Sequence, residues 1–207
     1  MADQVFPTKG NLIAAKRSLA LCKLGYDLMD RKRNVLIREL MLLVDQAKTL
    51  RGSIEEAYQS AYAELQDANI TLGVIERFAN VVPIDDSITV ETRSVMGVDI
   101  PIVKNTGGSA PLMPYGFLDT NIQLDMAYAS FRRARDLTLT LAEVDNGVFR
   151  LATAIQATQR RANALENVLI PRYTAIIRTI SDALEDKDRE EFTRMKIIKA
   201  TKHRDNG

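Results

Sequence analysis

The chain has 207 residues, 46% hydrophobic and 27% charged, with a formal net charge of +1. That composition describes a folded chain of one or two domains, and the near-zero total gives no basis for a nucleic-acid or membrane-surface binder. Aromatics make up only 6% and Trp is absent, so thin helix-on-helix seams are expected rather than a thick core.

In chain order, a short lead-in ends at Pro7-Thr8, with Thr8 the expected N-cap. The chain is then organised around a first long helix, from Lys9 to about Phe78. Leu12, Ala15, Leu19, Cys22, Tyr26, Met29, Arg33, Leu36, Leu40, Leu43, Ala47, Leu50, Ile54, Ala57 and Ala61 alternate steps of three and four. This 3.5-residue period keeps one stripe facing a partner helix. A helix of about 70 residues would be about 105 Å long, and such a rod is expected to be the function itself. Arg33 is the one polar residue on the stripe and needs a partner, because a buried unpaired charge costs several kcal/mol.

Val81-Val82-Pro83 ends the helix. Ser87–Val95 alternates and is β-branched, Gly97 supplies a turn, and Val98–Val103 follows, which predicts a β-hairpin. Pro101 marks the second strand as an edge strand. Asn105–Gly116 reads as loop. A second long helix is predicted from Leu118, capped by Asp119 or Thr120. Its stripe runs Val144, Val148, Leu151, Ile155, Thr158, Ala162, Leu165, Leu169, Arg172, Ile176, then Ile180 and Leu184. Pro171 predicts a kink and Gly147 a second weak point.

The expected fold is all-α dominated: a long antiparallel two-helix coiled coil with a short β-hairpin and loop insert at the turn end. The boundaries are an N-terminal helix over 1–80, an insert over 81–117, and a C-terminal helix with a projecting basic end over 118–207. A fold centre near residue 99 pairs Arg33 with Glu166. The insert, carrying few large residues, is expected to serve contact or regulation rather than folding.

Charge is unevenly spread along the chain. Lys and Arg outnumber Asp and Glu ten to five up to Arg51; the ratio is three to eleven from Gly52 to Ala127 and fifteen to eleven from Tyr128 on. Folding back places both basic ends together, with Lys9, Lys16, Arg17, Lys23, Arg189, Arg194, Lys196 and Lys199 as candidate contact residues.

No active site emerges. There is no GxxxxGK or GxGxxG phosphate loop, and Gly107-Gly108 reads as a turn. His203, the one histidine, lies in the tail, so neither a His-based metal cluster nor a triad can be built. Cys22 reads as a small seam residue; one thiol makes no internal disulfide and fits a reducing compartment. Asp85-Asp86 reads as solvated loop. The basic tail lacks the interleaved aromatics of a stacking surface, so no nucleic-acid partner is expected. The start MADQVFPTKG lacks a signal peptide's apolar core, and no apolar run approaches the ~18 residues needed to span a bilayer. The expectation is a cytoplasmic protein with no catalytic residues, no cofactor, no metal and no direct membrane insertion.

Two stretches, PTKGNLIAAKRSLALCKLGYDLMDRKRNVLIREL (Pro7 to Leu40) and RRANALENVLIPRY (Arg160 to Tyr173), resemble the D subunit of the V-type and A-type ATPases. The helix, β-insert, helix layout extends that resemblance over the whole chain. It implies a central-stalk rotor shaft standing in the ring of catalytic and nucleotide-binding subunits A and B, with the end carrying both termini inside the ring. It also implies pairing with the small F subunit, and contact through the C (or d) subunit with the membrane rotor. The complex would sit peripherally on the cytoplasmic face of the membrane, coupling ATP hydrolysis or synthesis to proton or sodium transport. A static coiled-coil scaffold or tether is the alternative.

Overall fold

The computed structural model describes residues 6–84, 87–105, 114–116 and 118–205. Gly107-Gly108 and Asp85-Asp86 lie outside these, as does the side chain of His203. The elements are α1 (Lys9–Leu72), α2 (Glu76–Ala79), β1 (Ile88–Val95), β2 (Val98–Asn105), α3 (Ile122–Ala164), a π-helical turn (Leu165–Leu169) and α4 (Ile170–Asp205). The fold is all-α dominated, an antiparallel two-helix coiled coil with one hairpin in the connection.

The termini of α1 follow local chemistry. Thr8 Oγ1 accepts from the Asn11 N–H at 3.2 Å, the expected cap. The helix ends at Leu72, short of the expected Phe78, because Gly73 turns left-handed at φ 73° while its N–H still reaches the Asn69 carbonyl at 3.0 Å. α3 likewise starts at Ile122 rather than Leu118. Its cap is Asn121, whose Oδ1 accepts from the Leu124 N–H at 3.0 Å; Asp119, at φ 58°, is outside helical geometry.

The chain divides into two compact units, 1–33 with 157–207, and 34–156. In the second unit α1 and α3 run antiparallel. Arg51 meets Asp145 at 3.3 Å, the Tyr58 and Thr138 hydroxyls lie 3.2 Å apart, the Tyr62 and Phe131 rings meet edge-to-face at 5.4 Å, and Thr71 donates to Gln123 at 3.0 Å. The hairpin folds back onto this pair. Ile100 joins Leu36 and Leu151 in the buried core, with Leu40, Leu43, Val95, Val98, Ala154 and Ile155 packed around them. The insert therefore completes the seam, which its composition did not suggest. Gly147 is the reason it fits: a Cβ there would stand 3.0 Å from Leu43 Cδ1 and 3.1 Å from Ile100 Cγ2. The glycine read as a weak point is a close approach inside a continuous helix. Met96 and Gly97, at φ 51° and 75°, form the two-residue turn that joins β1 to β2.

In the first unit, the N-terminal half of α1 meets the end of α3 and the π-helical turn. Gly25 faces Leu165, and Arg33 donates to Gln159 Oε1 at 2.7 Å. Here Pro171 does not break the helix. The distortion lies one turn earlier, where the Ile170 N–H reaches back to the Leu165 carbonyl, five residues away. Pro171 has no N–H, and its ring would crowd the carbonyl four residues back; the wider turn relieves both. A π turn inserts one residue into the helical count, so the seam moves on by one. Arg172, expected inward, is exposed, and Tyr173 is half-buried in its place. Farther along, the expected Ile176 and its neighbour Ile177 are both half-buried, Thr179 is exposed, and the expected Ile180 is only 1% exposed.

Candidate interaction site

All fifteen stripe positions expected on α1, from Leu12 to Ala61, are buried or half-buried. The opposite face is where partners can bind. In the first unit the eight candidate contact residues, Lys9, Lys16, Arg17, Lys23, Arg189, Arg194, Lys196 and Lys199, are all exposed. They differ in how their charge is held. On α4, Arg189 pairs with Glu185 at 2.6 Å and Asp186 at 3.9 Å, and Arg194 with Glu190 at 3.8 Å. Among the described residues, Lys9, Lys16, Arg17 and Lys23 on α1 have no such carboxylate. Surface pairs of this kind hold about 0–1 kcal/mol, so the α4 cations stay available for exchange.

Sequence reasoning missed the apolar component of this surface. Leu21, Leu24 and Leu28 are 68%, 56% and 53% exposed. Their three-then-four spacing sets them on one stripe of α1, turned away from the seam at 100° per residue. Phe192, Met195 and Ile198 are also exposed, on a stretch of α4 in which every residue from Glu185 to Lys199 is exposed. The signal was present as a second apolar period beside the seam. An unusual density of exposed large apolar residues marks a surface built for contact.

The expected Arg33–Glu166 ion pair does not form. Arg33 donates to Asp30 and to Gln159, and Gln159 in turn donates to Asn163 at 2.7 Å. Gln159 stands one heptad before Glu166 in the sequence, so the true register is one heptad shorter. Glu166 instead acts on the Tyr26 hydroxyl; its charge, with lost hydration and Asp30 adding, holds that phenol above its ordinary range.

The second unit carries an apolar cavity of about 210 Å³, lined by Leu65, Phe78, Val82, Tyr115, Leu124 and Phe131 among others. The Tyr115 hydroxyl in its wall turns to Asp125 Oδ1 at 2.7 Å. Burial, then that hydrogen bond and the carboxylate charge, push the Tyr115 phenol well above its usual range. Among the described residues no group of three or more His, Cys, Asp or Glu could hold a metal ion, and no helix is long and apolar enough to cross a membrane.

The geometry is that of a helical contact protein, with a polar-layered seam inside and mixed basic and apolar faces outside. The sequence model of the ATP synthase D-subunit family matches residues 11–200. The V-type ATP synthase D subunit of Thermotoga neapolitana is 41% identical over 94% of this chain and 97% of its own length. The A-type ATP synthase D subunit of Thermococcus kodakarensis is 36% identical over 95% and 94%, and that of Methanosphaera stadtmanae 34% identical over the same shares. The chain belongs to the ATP synthase D-subunit family.

Proposed function

We propose that this chain is the central rotor shaft of a V-type or A-type rotary ATPase, coupling ATP hydrolysis or synthesis in the catalytic ring to proton or sodium translocation in the membrane sector. The observation that carries the reading is the near full-length match to proteins named as the D subunit of such synthases. The structure supports it in kind. A helical pair with an exposed end suits a part that is turned rather than one that reacts. The shaft itself is non-catalytic. Its partners are the ring subunits A and B around the basic end, the F subunit on the stalk, and the C (or d) subunit toward the membrane rotor, with the whole complex peripheral on the cytoplasmic face. Lys and Arg side chains suit a turning contact, because their long stems slide while the charge stays hydrated.

The test is a reversible lock. A cysteine replacing exposed Ala14, disulfide-linked to the ring of the assembled enzyme, is expected to stop ATP-driven turnover, and reduction is expected to restore it. Ion pumping at the full rate in the cross-linked enzyme would replace the rotor with a static scaffold.

A further inference from the structure

The two outer edges of the hairpin are treated differently. A two-residue turn makes Val95–Val98 the first hydrogen-bonded pair, so Arg93–Ile100 and Glu91–Ile102 also bond inward. The alternate pairs, Ser94–Asp99, Thr92–Pro101 and Val90–Val103, turn their main-chain groups outward.

On β2 these groups are engaged or missing. The Asp99 carbonyl accepts from Arg150 Nη1 at 2.9 Å, Pro101 has no N–H, and the Val103 N–H donates to Glu143 Oε2 at 2.9 Å. Helix α3 thus closes that edge with two side chains. On β1 nothing does so. Val90, Thr92 and Ser94 are exposed, and among the described residues no hydrogen bond reaches their outward N–H and C=O groups. The strand has no proline and no bulge over its eight paired residues, the usual protections of an edge. Its charges are already taken: Glu91 pairs with Lys104 at 2.7 Å and Arg93 with Glu39 at 3.1 Å.

We propose that the outer edge of β1 is the seat of an extended strand contributed by a neighbouring subunit, which adds to the hairpin as a third strand. The inference rests on the chain being a subunit of a larger assembly. Main-chain groups of Val90, Thr92 and Ser94 supply the pairing. On the face carrying Val90, Thr92 and Ser94 the row is uncharged, so it selects uncharged, β-branched or small side chains at alternate positions of the added strand. A second copy of this chain is a poor occupant. Arg93 ties β1 to Glu39 on α1, and antiparallel self-pairing would bring two such helices under strands only about 4.8 Å apart. Packed helices need about 8–10 Å.

Amide hydrogen exchange at single-residue resolution tests this, comparing the isolated chain with the purified whole assembly. In the assembly the Val90, Thr92 and Ser94 amides are expected to slow by about tenfold or more, whereas Glu91 and Arg93 are protected in both states. Thr92→Pro removes one outward N–H and no inward bond, and is expected to weaken retention in the assembly by about threefold to tenfold, the worth of one hydrogen bond. Outward amides that stay fast in an intact assembly overturn the proposal and leave the proposed rotor function standing. Protection that appears in the isolated chain and rises with its own concentration assigns the edge to a second copy and also overturns it. Failure to co-assemble at all removes both.

Discussion

Tyr115 shows how a single hydroxyl ties a connecting segment to a helix. Its ring packs edge-to-face on Phe78 and Tyr128 while the hydroxyl reaches Asp125. Folding favours the neutral phenol, so the unfolded state releases its proton first as pH rises. Stability from this group is therefore intact below the ordinary phenol range, about pH 10, and is lost above it. Tyr26 acts in the same sense through Glu166. Tyr115→Phe is expected to flatten part of the alkaline fall in melting temperature, read by thermal denaturation between pH 8 and 11. An unchanged slope would mean that the Tyr115–Asp125 contact is not kept in solution. The polar layer at Arg33 is a second residue-scale case. A double-mutant cycle of Arg33→Met with Gln159→Ala should show coupling of about 0.5–1.5 kcal/mol, whereas Arg33→Met with Glu166→Gln should be additive. The reverse result would restore the longer register.

Among the elements, the π turn and the hairpin each solve a packing problem that a regular helix pair would leave open. Past Leu169 the apolar residues Tyr173, Ile177, Ile180 and Leu184 stand one position later than an unbroken 3.5-residue period allows, and the turn at Leu165–Leu169 absorbs the extra residue. Deleting Val168, an exposed member of that turn, in a Pro171→Ala background that removes the ring clash, should convert it to α-helix and leave the melting temperature nearly unchanged. Inserting an alanine after Arg178 should instead rotate Ile180 and Leu184 out of the seam, costing about 2–5 kcal/mol. Circular dichroism melts of both variants decide this, and equal losses would show that the turn does not set the phase. The hairpin depends on Gly147. Gly147→Val gains only about 0.3–0.5 kcal/mol of helix propensity but must displace Leu43 or Ile100. A net loss of about 1–3 kcal/mol is expected from overpacking, with faster amide exchange in β2 as its signature.

At the scale of the whole molecule, stability and function separate along the chain. From Glu185 to Lys199 every side chain is exposed, so cutting after Asp186 should leave the melting temperature in place while lowering ATP-driven pumping in the reconstituted complex; intact pumping would deny that end a coupling role. Much of this organisation was legible beforehand. A 3.5-residue period over Leu12–Ala61 has one physical solution, a helix seam, and every one of those positions is covered. Met96-Gly97 between two β-branched runs likewise left little but a hairpin. Element type and the buried stripe follow from local periodicity, which each segment carries by itself. What the tertiary structure alone decided is how the segments meet. The register of the first unit, with Arg33 against Gln159 rather than Glu166, is a contact that only the folded chain shows. The move of the seam to Ile180 and Leu184 was readable from apolar spacing, but its place, at a π turn before Pro171 that leaves Arg172 exposed, was not. The hairpin became part of the core because Gly147 leaves room for Ile100 against Leu36 and Leu151. Each of these is a contact between residues far apart in the chain, and a local period carries no information about which distant surface it will face.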